Sequence, residues 1–187
     1  MTGSSDGVIK IFRNYEQNKK AELVTAFRAL TDLVPSTRNA GLVFDWQQSR
    51  GHLLVAGDVK VIRVWNAGTE ICTMDIPARS GSCITSLTSD QVEGNVFIAG
   101  FGDGAVRVYD QRHRPAESCV KVWKEHKQWV TNVHLQRGGQ RELVTGCRSG
   151  EVKLWDIRLN ASVKTHRATK DTLRTLTVHE HAPVFAA

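Results

Sequence analysis

The sequence predicts an all-β protein with a β-propeller fold, and a repeated strand signature together with its spacing carries the prediction. Each copy of the signature is a tight turn followed by apolar residues that alternate with Lys or Arg, and it ends in an aromatic residue. The four copies cover residues 5–12, 57–66, 102–110 and 148–156. The closing aromatics are Phe12, Trp65, Tyr109 and Trp155, so the copies are 53, 44 and 46 residues apart.

The spacing and the last residues of the signature indicate a propeller of the WD-repeat type. Repeats of about 40–45 residues with a Gly-containing turn and a closing Trp-Asp form the four-stranded blades of that fold. Three of the four copies add Asp or Asn after the aromatic, as in Trp155-Asp156. In the turns, we expect Asp6 and Asp103 to cap the turn and the adjacent Gly residues to adopt positive φ.

The chain divides into five units when each repeat is read as strands a, b and c followed by an outer strand d. The expected units are a blade remnant at 1–30, blades at 40–76, 81–124 and 129–165, and the start of a further blade at 172–187. In the first unit only the turn, strand c and a candidate strand d at 21–30 remain. That last segment is ambiguous, because Leu23, Phe27 and Leu30 also suit a helical turn. The sheet context favours a strand.

Three full blades and two incomplete ones do not close a conventional ring of about 4–8 blades. The two end pieces could in principle pair into a fourth blade, which would give an uncommon four-bladed ring. We favour the other interpretation, that the chain is a partial propeller from a longer one. Such a piece leaves apolar blade faces and unpaired strand edges exposed, so we expect the isolated chain to self-associate.

Composition and charge exclude several classes of protein. The 41% hydrophobic and 24% charged residues are typical of a soluble globular domain, and no apolar run approaches the length of a membrane span. The net charge is +6, and the basic residues alternate with apolar ones, as in residues 121–124, which places them on a solvated face. No RNP-like, Cys/His or basic-helix motif is present, so we expect neither nucleic-acid binding nor membrane insertion.

Cysteine and histidine patterns predict no metal site and no cofactor. The four cysteines, Cys72, Cys83, Cys119 and Cys147, are far apart and form no C-x-x-C pair, which favours reduced thiols in a cytoplasmic protein. His179 and His181 form an H-x-H pair, but no further ligand is evident beside them.

The fourth repeat carries the fullest WD signature. WD repeats often link a His before strand a, a Ser or Thr in strand b and the Trp of strand c through hydrogen bonds. His126, Thr145 and Trp155 occupy these positions, whereas Ser149 occupies the turn position that is usually Asp. Because a buried imidazole and a buried indole N–H each need a partner, we expect His126 to be structural rather than a catalytic base.

The chain shows no signature of a known reaction. It contains no G-x-S-x-G, P-loop or H-E-x-x-H sequence, and spacing alone assigns no nucleophile and base. A repeat propeller without such a signature is typical of a binding module. We therefore predict a protein that is not an enzyme and has no catalytic, cofactor-binding or metal-binding residues.

Segments between the signatures resemble one WD-repeat family in particular. Residues 4–15 look like a segment of Raptor, the regulatory scaffold of the TOR kinase, and residues 24–46 resemble the Raptor linker into its next blade. Parts of 75–110 are similar to the following Raptor blade, and Glu125-His126 and Trp129-Val130 continue in register. The resemblance covers nearly the whole chain and is closest over residues 4–135.

The resemblance implies a role in TOR complex 1. Raptor is a non-catalytic scaffold that binds TOR kinase, presents substrates and helps to place the complex at the lysosomal or vacuolar surface, and its propeller is its C-terminal domain. We therefore expect a cytoplasmic interaction module whose partners are TOR kinase and other subunits of that complex. Recognition of substrate motifs is attributed to other domains of Raptor, so no substrate-binding residue is assigned. The alternative is a generic WD-repeat adaptor in ubiquitin ligation or trafficking.

Overall fold

The protein is built from antiparallel β-sheets. This computed structural model describes residues 1–14, 16, 20–33, 40–136, 142–179 and 185–187. In those ranges the chain forms 17 strands and one short 3-10 helix at Pro115–Glu117, with no α-helix. No helix in these ranges has the length and apolarity that crossing a membrane requires.

The strands form five sheets, which we number in chain order. The first sheet holds β1 (Thr2–Gly3), β2 (Val8–Arg13) and β3 (Glu22–Arg28). The second holds β4 (Leu42–Gln47), β5 (His52–Gly57), β6 (Val61–Asn66) and β7 (Ile71–Pro77). The third holds β8 (Ile84–Ser89), β9 (Val96–Phe101), β10 (Val106–Asp110) and β11 (Cys119–Trp123). The fourth holds β12 (Val130–Leu135), β13 (Glu142–Cys147), β14 (Glu151–Asp156) and β15 (Lys164–Arg167), and the fifth β16 (Thr177–Val178) and β17 (Phe185–Ala186).

The arrangement of the sheets confirms the predicted fold class, a partial WD-repeat propeller. The three complete sheets are four-stranded meanders, and β8 lies next to both β4 and β12, so the first strand of each sheet packs beside its counterpart in the next. The first and fifth sheets are separate within the described part of the chain, and no strand of one pairs with the other. The four-bladed closure is therefore not what the structure adopts.

Strand boundaries differ from the sequence prediction at three places. The ambiguous segment 21–30 is a strand, β3, as favoured, and β1 adds a short third strand to the first sheet that a two-residue pattern could not reveal. The outer strand of the fourth unit, which was expected to end at residue 165, lies at Lys164–Arg167, because the backbone N–H and the hydroxyl of Ser162 bind Glu125 and hold Ser162 outside the sheet. In the fifth unit, expected from residue 172, the first strand is only Thr177–Val178.

The hydrophobic core lies between the sheets rather than in one central mass. Four clusters of buried residues each combine side chains from two successive sheets. Along β5, Leu53 and Val55 enter the cluster shared with the first sheet, while Leu54 and Ala56 enter the cluster shared with the third. Because alternate side chains are buried on both faces, strand b reads as a continuous apolar run.

Hydrogen bonds between corresponding positions join neighbouring blades near the inner strands. The hydroxyl of Thr88 accepts the backbone N–H of Leu135 at 3.1 Å, 47 residues further along the chain. The same kind of bond, over about one repeat length, joins three further pairs: Ser89 to Asp45, Thr85 to the carbonyl of Val130, and Asn132 to the carbonyl of Leu176. Each blade is thus tied to the next by polar contacts as well as by the apolar clusters.

Candidate functional site

The fourth sheet brings His126, Thr145 and Trp155 together. Thr145 lies in β13, Trp155 lies in the paired strand β14, and His126 lies in the loop that precedes β12. The indole N–H of Trp155 donates to Thr145 Oγ1 at 2.8 Å, and His126 Nε2 lies 2.7 Å from the same oxygen. One hydroxyl therefore serves both rings, which also meet edge to face with centroids 6.1 Å apart.

Burial decides what this triad can do. Thr145 is 0%, Trp155 2% and His126 4% exposed, so no substrate reaches the hydroxyl or the imidazole. Burial, with a smaller contribution from the Lys153 charge, lowers the pKa of His126 to about 4, against a smaller opposing effect of Glu125. The ring is neutral at physiological pH and stays inside the blade. The triad holds strands and loop together and does not have the access that acid–base catalysis needs.

The triad lacks the fourth member that WD repeats often have. Ser149 stands at the usual Asp position, and its hydroxyl lies 2.9 Å from Cys147 Sγ instead of reaching the imidazole. Within the described residues, His126 Nδ1 is buried and has no hydrogen-bond partner. A buried polar atom without a partner is unusual and costs free energy, so this nitrogen is a place to look for a missing ligand.

A charged pair lies beside the triad. Lys153 Nζ is 3.3 Å from Glu125 Oε2 and donates to Thr165 Oγ1 at 2.9 Å, and the lysine is 8% exposed. Burial acts to raise the pKa of Glu125, but hydrogen bonds from Ser162 and the Lys153 charge outweigh it and lower that pKa. The Glu125 carboxylate therefore stays ionised, and its contacts fix the loop before β12 against β14 and the outer strand.

The aspartates in the turns of the signature accept hydrogen bonds from residues of the same turn. Asp6 accepts the backbone N–H of Val8 at 3.3 Å and the hydroxyl of Ser4, and these bonds lower its pKa. Asp103 accepts the N–H of Ala105 at 3.0 Å. Gly104, in the same turn, has φ +84° and passes so close to the backbone oxygen of His126 that an added Cβ would lie 2.2 Å from it. The aspartates therefore stabilise the turns themselves, and the turn at Gly104 also packs tightly against the loop that contains His126.

Two aromatics of the signature pack differently from Trp155. Tyr109 is fully buried, stacks on Phe97 at 4.9 Å and donates its hydroxyl to the carbonyl of Ala78 at 3.1 Å, in the segment that follows the second sheet. Burial raises the pKa of Tyr109 well above its usual value. Trp65 packs against Phe27 of the first sheet at 5.1 Å, and its buried indole nitrogen has no hydrogen-bond partner among the described residues.

Sequence reasoning singled out Asp156 but missed the arginine that binds it. The Arg158 guanidinium binds both oxygens of Asp156, with Nε 2.9 Å from Oδ1. The third repeat has the same pair, in which Arg112 Nε lies 2.9 Å from Asp110 Oδ1 and this contact lowers the pKa of Asp110. An Asp-x-Arg sequence after each of these aromatics was the available signal. Both arginines are largely exposed, with side chains 63% and 60% accessible.

One polar surface cavity lies beside the fourth repeat. It has a volume of about 390 Å³, and its lining comprises Trp129, Thr131, Arg148, Thr172, Leu173 and Arg174. A second cavity of about 450 Å³ lies between the fourth and fifth sheets and includes Leu143, Val178 and Phe185. Of the H-x-H pair, His179 is exposed, while His181 lies outside the described residues.

Comparison with known proteins shows to which class of propeller the chain belongs. The family model described as WD domain, G-beta repeat matches residues 117–156. This stretch runs from the outer strand of the third sheet through β14 and contains the whole triad. Together with the blade meanders, the match shows a propeller of the WD-repeat class.

The relatives then identify the family. The chain is 55% identical over 186 residues to "Target of rapamycin complex 1 subunit mip1" of Schizosaccharomyces pombe, covering 100% of this chain and 14% of that protein. It is 49% identical over 201 residues to "Target of rapamycin complex 1 subunit KOG1" of Saccharomyces cerevisiae, covering 100% and 13%. The crystal structure of Chaetomium thermophilum Raptor matches with a TM-score of 0.89 and 58% identity over 98% of this chain and 16% of that one. The chain belongs to the Raptor family, and it spans about one seventh of the length of these relatives.

Proposed function

We propose that the chain acts as a non-catalytic interaction module of TOR complex 1. The observation that carries the proposal is the match along the whole chain to two proteins named as subunits of that complex, at 55% and 49% identity. The generic adaptor in ubiquitin ligation or trafficking is not favoured, because the similarity extends beyond the repeats into the segments between them.

The geometry supports a binding role rather than a catalytic one. The polar residues of the repeat signature either cap turns or serve buried hydrogen bonds, as in the triad of His126, Thr145 and Trp155. What the fold offers to partners is its rim and its loops, where charged groups such as Arg112 and Arg158 are exposed. Surfaces of this kind are the usual contribution of a propeller to an assembly.

The partners in this proposal are TOR kinase and the other subunits of the complex. The experiment replaces the matching segment of the fission yeast mip1 protein with this chain and isolates the tagged chimera from cells. TOR kinase is expected in the isolated material at a level near that of unmodified mip1. The control is a chimera that carries a segment of similar length from an unrelated WD-repeat protein, which should recover less kinase. Equal loss with both chimeras would contradict the proposal.

The proposal also includes a cytoplasmic location, at the lysosomal or vacuolar surface when the protein is part of the complex. This part rests on membership of the complex. A fluorescent fusion of the chimera should follow the TOR kinase signal between cytoplasm and that surface. A fusion that is found mainly in the nucleus or in the secretory pathway would overturn this part.

A further inference from the structure

The b–c turn of the fourth repeat gathers three side chains of the types that ligate transition metals. His126, Cys147 and Glu151 each offer one donor atom, and the three atoms lie within 4.8 Å of one another. Cys147 ends β13, Glu151 begins β14, and His126 comes from the loop before β12. The short turn between β13 and β14 therefore places the Cys147 thiol and the Glu151 carboxylate beside His126, which lies more than twenty residues earlier in the chain.

The imidazole supplies an independent indication that a ligand belongs here. His126 is 4% exposed, its Nε2 is held by Thr145, and its Nδ1 has no hydrogen-bond partner among the described residues. Ser149, at the turn position that is usually Asp in a WD repeat, contacts Cys147 and not this nitrogen. The nitrogen left without a partner is thus the one available to the cluster, and a bound cation would satisfy it.

We propose that His126 Nδ1, Cys147 Sγ and the Glu151 carboxylate bind one Zn²⁺ ion. Nitrogen, thiolate sulfur and carboxylate oxygen are the donor set that zinc takes in proteins, with four ligands in a tetrahedron. Donor atoms in such a site lie about 3.6 Å apart, given zinc distances of about 2.0–2.3 Å. The donor atoms therefore need to approach by no more than about 1 Å, and Glu151, which is partly exposed, has the freedom to move.

The surroundings suit a divalent ion bound by one thiolate and one carboxylate. Those two negative charges offset the ion, and nearby Lys153 is paired with Glu125 at 3.3 Å. Zinc binding takes the proton from the Cys147 thiol and releases it to water, so the site is neutral overall. The fourth position falls to the Ser149 hydroxyl, 2.9 Å from Cys147 Sγ, or to water that enters beside Glu151.

The triad would then orient the ligand imidazole. With zinc on Nδ1, the Nε2 of His126 carries the remaining proton and donates to Thr145 Oγ1, which also accepts from Trp155. Zinc-binding histidines usually donate their second N–H in this way, and that bond fixes the ring. The ion would link the loop before β12 to the b–c turn, in the position where other WD repeats use an Asp.

The test measures zinc and Co²⁺ binding by the full chain, purified with a chelator and kept reduced. Calorimetry with Zn²⁺ should give one equivalent, and Co²⁺ should produce the thiolate charge-transfer absorption of a tetrahedral sulfur site. Cys147→Ser should abolish the Co²⁺ band, and Glu151→Gln should weaken zinc binding about 10-fold or more. The control is Cys72→Ser, at a free thiol that is only partly buried and lies in another sheet, which should leave both signals unchanged.

Folding is checked by circular dichroism for each variant, because unfolded chains also bind zinc through Cys and His. Glu151→Gln changes a partly exposed side chain and keeps the test decisive if Cys147→Ser does not fold. Absence of stoichiometric binding by the folded chain overturns the proposal. So does a Co²⁺ band that survives in folded Cys147→Ser, or one that disappears in Cys72→Ser, because each assigns the signal to other groups.

Discussion

The hydroxyl of Thr145 accepts the indole N–H of Trp155 at 2.8 Å across a pair of adjacent strands, and both residues are almost completely buried. The same oxygen lies 2.7 Å from the His126 imidazole. At the equivalent aromatic position of the third repeat, Tyr109 instead sends its hydroxyl to the carbonyl of Ala78 in the preceding unit. The polar group of the buried aromatic therefore finds its hydrogen-bond partner within the same blade in the fourth repeat, and in the segment after the preceding blade in the third repeat.

Removing the shared hydroxyl should destabilise the chain strongly. Thr145→Val keeps the shape of the side chain but leaves the Trp155 N–H and His126 Nε2 without a partner in a fully buried place. We expect a loss of about 2–4 kcal/mol, since each unpaired buried group costs about 1–3 kcal/mol. Urea unfolding followed by tryptophan fluorescence measures the change in the free energy of unfolding.

Thr73→Val is the matched control for that experiment. The Thr73 hydroxyl donates to the carbonyl of Val64 at 3.0 Å, but the residue is exposed and water can replace the bond. We expect a loss below about 1 kcal/mol. Similar losses in the two variants would show that the buried triad contributes no more than an ordinary surface bond.

The hydroxyl of Tyr109 should contribute less than that of Thr145. In Tyr109→Phe the carbonyl of Ala78 still accepts from Arg107 Nη1 at 2.8 Å, so no buried acceptor is left alone. The expected loss is therefore about 0.5–1.5 kcal/mol, the range for one net hydrogen bond. Thermal unfolding should give a slightly lower Tm with an unchanged far-ultraviolet circular dichroism spectrum. A loss as large as that of Thr145→Val would contradict the assignment.

Acidification should lower the free energy of unfolding over the pH range in which a histidine of the unfolded chain takes up a proton. Burial lowers the pKa of His126 from 6.5 to about 4 in the folded chain, so between these values the unfolded state binds more protons. The free energy of unfolding is therefore highest above about pH 6.5, and it declines by up to about 3 kcal/mol as the pH falls toward 4. Burial also lowers the pKa of His52, which adds a contribution of the same sign.

The measurement compares urea unfolding at several pH values with EDTA present, so that no metal contributes. His126→Gln should be less stable than the natural chain near neutral pH and should lose less stability on acidification. The control His113→Gln changes an exposed side chain and should keep the slope of the natural chain. An unchanged slope in His126→Gln would show that this histidine does not carry the pH dependence.

A methyl group added at Gly104 should disrupt the turn before β10. The residue has φ +84°, and a Cβ would lie 2.2 Å from the backbone oxygen of His126. Gly104→Ala combines left-handed strain with a clash against backbone, and we expect a loss of about 3 kcal/mol. Gly81→Ala is the matched control, because Gly81 has no positive φ and no atom within 4 Å of the added carbon. That variant should stay within about 0.5 kcal/mol of the natural chain.

The sequence predicted the middle strands of each blade well because both of their faces are buried. Along β5 the side chains from Leu53 to Ala56 point alternately into the two apolar clusters on either side of the sheet. An apolar run of this kind predicts a core strand. The outer strand of the fourth unit was placed less accurately, since its position depends on a contact from elsewhere in the chain. The shift of β15 follows from Glu125, which binds Ser162 from 37 residues away.

The candidate sites also differ in how far the sequence alone could predict them. The triad could be anticipated because a repeat pattern gives each member a position, although Ser149 showed only that one partner is absent. The approach of His126 to Cys147 and Glu151 could not be foreseen, because it needs the register of β13 and β14 and the path of a loop. The pairs of Asp with Arg two residues later needed no such information, because the recurrence of Asp-x-Arg after the aromatic is visible in the sequence.

The edge of the first sheet should cause the isolated chain to self-associate. β3 is the outer strand of that sheet, and Leu23 and Val24 on it are 53% and 56% exposed. A strand edge with free backbone groups and apolar side chains is a template for pairing with a second copy. We expect light scattering coupled to gel filtration to show dimers or larger species whose share rises with concentration.

Substituting charge into that edge tests the cause. Leu23→Lys with Val24→Lys should shift the population toward monomer at the same concentration, because lysine on an edge strand opposes pairing. Val92→Lys is the control, since Val92 is 52% exposed but lies in a loop rather than on a sheet edge. If the control reduces association as much as the double variant, net charge is responsible and the edge is not. A natural chain that is monomeric at every concentration would contradict the prediction itself.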